Sequence, residues 1–392
     1  MNLRGDIHQY PGRRRTTRRQ PAITYVFGTR PNFIKMAPVI ERLRAHLPDA
    51  RHVGVHTGQH YDQEMSDVFF GELSVPAPDH LLGVGSGTHG EQTARALERL
   101  ERVLLTDPPD IVIVPGDVNS TLAAALAAAK LGVPIAHVEA GLRSFDWSMP
   151  EEINRVLVDR LSTWCFTHSP EARSNLLREG IPDHRVHEVG NTMIDSLVHM
   201  RARIDRSDVH RRMGVPPRDY LLVTLHRPAL VDGPLLREAL VELDALSLFY
   251  PVVFPMHPRT RARANGFTPS GTSLHLIDPI GYVDFLALES RARAVITDSG
   301  GVQEETTFLG VPCFTLRENT ERPVTLTHGT NRLLGLRIDA LREIPRMLRS
   351  TRTPLRSPAG WDGHAGDRIA TVLAESLGAC SEAKPADVAA VV

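Results

Sequence analysis

The stretch IVIVPGDVNSTLAAALAAAKLGVPIAHVEAG, residues 111–141, decides the fold. Ile111 to Asp117 is an apolar run that ends in Pro-Gly-Asp. Ser120 to Leu131 is Ala-rich and helical in pattern, and Pro134 to Gly141 is a second apolar run ending in Glu-Ala-Gly. A strand with no polar alternation is buried on both faces, which calls for a parallel sheet covered by helices. Strand, helix, strand in that order is a βαβ unit.

The same grammar extends in both directions. Upstream, ITYVFG (Ile23 to Gly28) leads into a helical pattern over Ile34 to Leu47. HVGVHTG (His52 to Gly58) is the next strand and turn, and Glu91 to Leu105 the next helix. The pattern restarts near Tyr220, with strands in YLLVTLH (220–226), PVVFPMH (251–257), SLHLIDP (273–279), RAVITDSGG (293–301) and VPCFTL (311–316). The reading is an α/β chain of two Rossmann-like doubly wound domains with a cleft between them. The expected divisions are a basic leader 1–21, a first domain 22–190, a second domain 191–365, a helix 366–378 and a tail 379–392. For the helix, packing back on the first domain is one option.

Bulk composition agrees. At 392 residues the chain exceeds one ordinary core, and 42% hydrophobic with 23% charged residues is globular. A net charge of −1 gives no field towards nucleic acid. The cluster Arg13, Arg14, Arg15, Arg18 and Arg19 reads as a solvated leader, with a nucleic-acid or membrane arm as the alternative. No apolar run follows it, so it does not read as a secretory signal. The longest apolar stretch, Leu122 to Val138, is broken by Lys130, Gly132 and Pro134, so no membrane span is expected. Cys165, Cys313 and Cys380 are far apart and read as free thiols of a reducing cytoplasm.

Polar residues gather just after strand ends, the edge where open α/β sheets bind ligands. In GTRPNFIK (28–35) a turn glycine is followed by Arg30 and Lys35 at a helix start, which suits a phosphate; solvated surface charges are the plainer reading. In DSGGVQEE (298–305), Ser299, Gly300 and Gly301 offer a hydroxyl and N–H groups to a phosphate. Glu304 or Glu305, one turn further, is placed to accept both hydroxyls of a ribose. An ordinary capped helix start is the alternative there, and the motif is neither a Walker loop nor GxGxxG.

Asp117 and Glu139 end successive strands, so their carboxylates can converge on one cleft. Glu151 and Glu152 open a helix beside Asn154 and Arg155. Such carboxylates serve as general acid and base, or merely as helix-dipole partners. His226–Arg227 and His257–Arg259 end second-domain strands and read as pairs aimed at a diphosphate. His56 and His60 are spaced for a helix face but lie in strand and turn, so no metal is expected. No Ser–His–Asp or Cys–His nucleophile set stands out.

Together GTRPNFIKMAPVI, TGQHYDQEM, GDVNSTLA, HVEAGLRSFDWSMPEEINR, GNTMIDSL, LVTLHRP, DSGGVQEE and TERPVTLTHGTNRL, spread over about residues 23–335, resemble the non-hydrolysing UDP-N-acetylglucosamine 2-epimerase family. The resemblance implies a GT-B-like fold whose second domain binds UDP. It implies interconversion of UDP-GlcNAc and UDP-ManNAc with no cofactor: a base takes the proton from carbon 2 as UDP leaves carbon 1. The 2-acetamidoglucal that results is then reprotonated on its other face and recaptures UDP.

By the same resemblance Asp117, Glu139, Glu151 and His226 are the catalytic residues. Arg30, Lys35, Arg155, Phe285 (against uracil), Ser299, Gly300, Gly301 and Glu305 (on the ribose) hold the substrate. Gln59, His60 and His257 match part of a second, allosteric site, and a homodimer is implied. HRPAL departs from the family in lacking the Asn or Glu that often follows HRP. The rival readings are an epimerase of a 3-acetamido or uronic-acid UDP-sugar, a hydrolysing epimerase, a GT-B glycosyltransferase and a silent UDP-sugar sensor.

Overall fold

The computed structural model describes residues 20–58, 75–350 and 357–382. Two sheets organise them. The seven-stranded sheet has the order β3-β2-β1-β4-β5-β6-β7. Its strands are β1 Ala22–Phe27, β2 Arg51–His56, β3 His80–Leu81, β4 Ile111–Pro115, β5 Ile135–Val138, β6 Trp164–Thr167 and β7 Val186–Glu188. The six-stranded sheet has the order β10-β9-β8-β11-β12-β13. Here the strands are β8 Leu221–Thr224, β9 Val252–Pro255, β10 Leu274–Ile277, β11 Ala294–Thr297, β12 Cys313–Thr315 and β13 Asn331–Leu333. Pairing among the described residues is parallel throughout. Both sheets are therefore doubly wound, as the sequence pattern predicts.

Strand β4 shows why. Ile111, Val112, Ile113 and Val114 are all 0% exposed, and each contributes about 1.5–3 kcal/mol by leaving water. Successive side chains point to opposite faces. Ile111 and Ile113 join Met36, Val39 and Leu43 of the Arg30–His46 helix. Val112 and Val114 join Leu100 and Leu104 of the His89–Thr106 helix and Ala123 and Ala127 of the Asn119–Lys130 helix. The alanines let those two helices pack closely on that face.

The first helix begins earlier than the apolar pattern suggests, at Arg30 rather than Ile34. Thr29 is its N-cap, and the Asn32 side chain accepts the Gly28 and Thr29 N–H groups, each at 2.9 Å. The run around Cys165, strand-like in sequence, is β6. Strands β3, β7 and β13 lie outside the runs read from the sequence; at two or three residues each on a sheet edge, they carry too little periodicity to register.

The two halves share material. The Thr192–His199 helix follows β7 and touches both the Arg30–His46 and Gly300–Leu309 helices. Its Ser196 hydroxyl donates to the Ile34 carbonyl at 2.6 Å. The last helix, Ala365–Glu382, lies on the Arg30–His46 helix, with Arg42 and Asp367 3.2 Å apart. Gly366 N–H donates to Asp195 at 2.7 Å. One apolar cluster consequently runs from Met36 and Val39 through Met193 and Leu197 to Leu222 and Val295. Among the described residues no helix is long and apolar enough to cross a membrane.

Candidate active site

Strand order reverses between β1 and β4 in one sheet and between β8 and β11 in the other. Ligands of open α/β sheets bind at such switch points. The turns there are Gly28–Arg30 and Gly116–Asp117 on one side, Leu225–Arg227 and Asp298–Gly301 on the other. The two edges face each other and are bridged by charge.

Glu139 stands just past β5 with φ of 71°, a left-handed conformation that costs a non-glycine residue about 1–3 kcal/mol and concentrates at functional sites. Its carboxylate accepts from Lys35 Nζ, and from Arg322 Nη2 at 2.6 Å. Gly116 makes room for this. A Cβ there would sit 3.1 Å from Lys35 Nζ and 3.3 Å from Glu139 Oε2, and its φ of +62° suits glycine.

Arg322, 5% exposed, is the hub of the cleft. Its Nε lies 3.0 Å from Glu304, and its Nη1 pairs with Glu321. Burial works against its charge, yet Glu304, Glu321, Glu139 and Asp117 together hold its pKa well above the ordinary arginine value. A planar fork of five donors suits such a position better than a lysine. Glu304 is 0% exposed and also lies 3.0 Å from His168 Nε2. Burial alone would raise its pKa, but Arg322 and His168 hold it below the usual carboxylate range. Glu321, likewise buried, accepts from Arg317 at 2.6 Å, and Arg227 stands 3.9 Å away. Its carboxyl too is held well below its ordinary value, by Arg322 and Arg317 against burial.

The structure separates the neighbouring acids Glu151 and Glu152. Glu152 is 1% exposed and closes the preceding loop by accepting the Ser144 and Phe145 N–H groups, each at 2.9 Å, and Arg155 Nη2 at 2.8 Å. Glu151 is half-buried, and its charge reaches Arg227 of the opposite domain. Arg155 is 1% exposed and divides its donors between Glu152 and Asp117. It thereby positions Asp117, whose own carbonyl accepts Asn154 Nδ2 at 2.8 Å, rather than presenting an open face to a ligand.

On the other edge, the 0% exposed Asp298 does not cap the helix it precedes. It accepts the His226 and Arg227 N–H groups at 2.9 and 2.8 Å, with His226 Nδ1 3.1 Å away. Burial is outweighed by these partners, so its carboxyl lies below the ordinary value. The clamp ties the two switch-point turns together and leaves the His226 ring half-exposed. Ser299 is the N-cap of the Gly300–Leu309 helix without a side-chain cap bond, so the plain capping explanation of this turn does not hold. A Cβ on Gly300 would lie 2.4 Å from Arg322 Nη1, and one on Gly301 2.9 Å from Met193 Cε. Glycine is required at the first because the arginine passes directly over it.

Glu305 is 3% exposed and accepts the Tyr282 hydroxyl at 2.6 Å. Phe285, on the Tyr282–Arg291 helix, is partly buried against the shared core. Arg30 opens the first helix at the switch point. His257 is exposed and accepts Arg259 N–H at the start of the Pro258–Arg263 helix, while Arg259 pairs with Asp232. The second His–Arg pair is thus committed locally, unlike His226–Arg227. Gln59 and His60 lie outside the described residues. Among the described residues no three His, Cys, Asp or Glu side chains are gathered as a metal site.

Sequence reasoning assigned no role to Arg322, Glu321, Arg317 or His168. The TERP run was visible as a motif, and an acid–base doublet after an apolar strand was the available signal. What none of these residues carries in sequence is their convergence from strands of different sheets. Lys35, Glu139, His168, Asn191 and Met193 also line a cavity of about 10 Å³ beneath the charges, the size of one water.

This geometry has relatives. Residues 42–374 match the family model of UDP-N-acetylglucosamine 2-epimerase. The chain belongs to that family. The UDP-N-acetylglucosamine 2-epimerase of Methanocaldococcus jannaschii is 42% identical over 362 residues, 90% of this chain and 98% of that protein. The crystal structure of the M. jannaschii UDP-GlcNAc 2-epimerase in complex with UDP-GlcNAc and UDP superposes with a TM-score of 0.81, at 41% identity over 90% of this chain and 99% of that one. A second relative, the UDP-2,3-diacetamido-2,3-dideoxy-D-glucuronate 2-epimerase of Pseudomonas aeruginosa, is 41% identical over 362 residues, 91% of this chain and 99% of that protein. The family's GT-B-like architecture is the one built here from two facing doubly wound sheets.

Proposed function

We propose that this family member is a UDP-GlcNAc 2-epimerase, interconverting UDP-GlcNAc and UDP-ManNAc. The observation that carries the proposal is the meeting across the cleft of a strand-end carboxylate from one sheet with an arginine from the other, Glu139 and Arg322 at 2.6 Å. In this reading the diphosphate lies at the Ser299–Gly301 helix start, among Arg30, Arg322 and His226, and Glu305 takes the ribose. A carboxylate of the Asp117, Glu139 and Glu151 set removes the carbon 2 proton. The carbon 1–carbon 2 double bond forms as the carbon 1–oxygen bond breaks, and its electrons leave on the UDP phosphate. Reprotonation from the other face and return of that oxygen to carbon 1 restore a UDP-sugar with inverted carbon 2. Clustered cations suit the departing phosphate, since one such electrostatic partner typically supplies about 3–4 kcal/mol.

The near-equal identity to the diacetamido-glucuronate epimerase supports a second reading, in which the sugar carries a 3-acetamido and a 6-carboxylate group. One experiment addresses both. The protein is incubated in deuterated water with a panel of UDP-sugars and carbon 2 is followed by NMR. Deuterium at carbon 2 of intact UDP-GlcNAc supports the proposal, and exchange only with the diacetamido-uronate supports the second reading. Free sugar plus UDP indicates hydrolysis, and no exchange with any sugar overturns epimerisation. A cytoplasmic homodimer and a second UDP-GlcNAc site at Gln59, His60 and His257 belong to the same proposal. Light scattering and the substrate-dependence of the rate test the dimer and the second site.

A further inference from the structure

Glu305, one turn into the Gly300–Leu309 helix, belongs to a buried acid pair that the reaction above does not explain. Glu289 lies on the Tyr282–Arg291 helix and is 0% exposed. Neither of its carboxylate oxygens meets a donor among the described residues. Its partner within hydrogen-bonding reach is Glu305, whose Oε1 already accepts the Tyr282 hydroxyl at 2.6 Å. Tyr282, Phe285 and Glu289 are spaced by three and four residues and share one helix face. The same face thus bears the ring expected against uracil and both groups that touch Glu305.

Among the described residues, the other titratable groups around Glu289 supply no counter-charge. Cys313 of β12 is a thiol whose pKa burial pushes up to about 12. Tyr220 is a phenol that burial also raises, and its hydroxyl donates to the Leu288 carbonyl. Arg291 stands beyond Tyr220 and spends its guanidinium on the Ile204, Asp205 and Ala287 carbonyls. Two carboxylates in contact in a dry interior do not both ionise. A carboxyl–carboxyl hydrogen bond also requires one proton. Burial and the contact with Glu305 both push the Glu289 carboxyl well above its usual range.

We propose that Glu289 is a protonated carboxylic acid that positions Glu305: its O–H and the Tyr282 hydroxyl are two fixed donors that hold the Glu305 carboxylate towards the ribose hydroxyls of a nucleoside diphosphate. The inference rests on the reading of Glu305 as the ribose acceptor. It makes nucleotide recognition proton-linked, through a residue that never touches the ligand.

The test compares UDP with 2′-deoxy-UDP by calorimetry on the full chain. Wild type should prefer UDP by about 10-fold, the worth of one hydrogen bond to a charged group. In Glu289→Leu that preference should collapse towards unity while 2′-deoxy-UDP affinity changes little. Glu289→Gln should restore it, since the amide donates as the acid does. As pH rises through the Glu289 titration the wild-type preference should fall, and that of Glu289→Gln should stay flat. This pH comparison uses an isosteric variant and stands even if Glu289→Leu does not fold. An unchanged preference in Glu289→Leu, or parallel pH profiles for wild type and Glu289→Gln, overturns the proposal. If wild type itself does not distinguish the two nucleotides, the ribose reading of Glu305 fails instead. The infrared band of a protonated carboxylic acid, lost in Glu289→Gln, then decides the protonation state separately; its absence from wild type overturns that half of the inference.

Discussion

Replacing Arg322 with methionine removes a guanidinium from among Glu139, Glu304 and Glu321 and leaves its volume filled. Glu139 keeps Lys35 and Glu321 keeps Arg317. Glu304, 0% exposed, keeps His168 at 3.0 Å and the more distant charge of Lys35. Orphaning one member of a buried pair costs about 3–5 kcal/mol if the survivor stays charged. The orphan can instead take up a proton. Doing so at pH 7 from an unfolded pKa near 4.3 costs about 3.7 kcal/mol, at 1.36 kcal/mol per unit, so the expected loss is about 3–4 kcal/mol. The sign of the pH dependence should also reverse. In the wild type, Glu304 and Glu321 lie below their unfolded values. Their stabilisation is therefore present above about pH 4.5 and is lost as pH falls through the folded pKa. In the variant, burial leaves Glu304 raised, so stability should fall as pH climbs from about 4.5 towards 7. Urea midpoints of wild type, Arg322→Met and Arg322→Lys between pH 4.5 and 7.5 test this. The lysine variant should lose less than the methionine one, having charge without the fork. A loss under about 1 kcal/mol with a wild-type pH slope would refute the hub described here.

Glu139→Gln should slow carbon 2 exchange by about 10²–10⁴-fold, the usual contribution of a positioned acid–base group, with UDP affinity retained; lost affinity instead would remove its assigned role. Glu151→Gln should lower the exchange rate with little change in melting temperature. Glu152→Gln should do the reverse, because its carboxylate closes the 144–152 loop. Gly300→Ala places a Cβ 2.4 Å from Arg322 Nη1. It should cost about 1–3 kcal/mol in denaturant unfolding and weaken UDP binding together, as overpacking does. Asp195, which burial raises to about 6, should make the native state less stable as pH rises from about 4 to 6. Asp195→Asn keeps an acceptor for Gly366 N–H and should erase that slope, worth about 2–3 kcal/mol, in pH-resolved melts.

The α/β class and the two doubly wound series were legible because buried parallel strands such as β4 are written as unbroken apolar runs. The strand ends were legible too, so Asp117, Glu139, His226 and the Ser299–Gly301 turn were found one by one. The short edge strands β3, β7 and β13 escaped, since two or three residues carry no period. The start of the first helix escaped because Thr29 and Asn32 set it through side-chain capping, which an apolar pattern does not record.

What sequence by itself determined is therefore the local grammar: which runs are buried, where turns must bend, and which polar groups stand at the binding edge. What only the tertiary structure decided is partnership. Glu151 and Glu152 are adjacent and chemically identical, yet one closes a loop and the other faces the opposite domain. Glu304 and Glu305 are likewise adjacent, one held by Arg322 and the other beside Tyr282 and Glu289. The physical reason is that charge in a dry cleft takes its behaviour from neighbours within a few ångströms. For Glu139 and Arg322, those neighbours are brought together by the closing of two sheets upon each other, 183 residues apart along the chain.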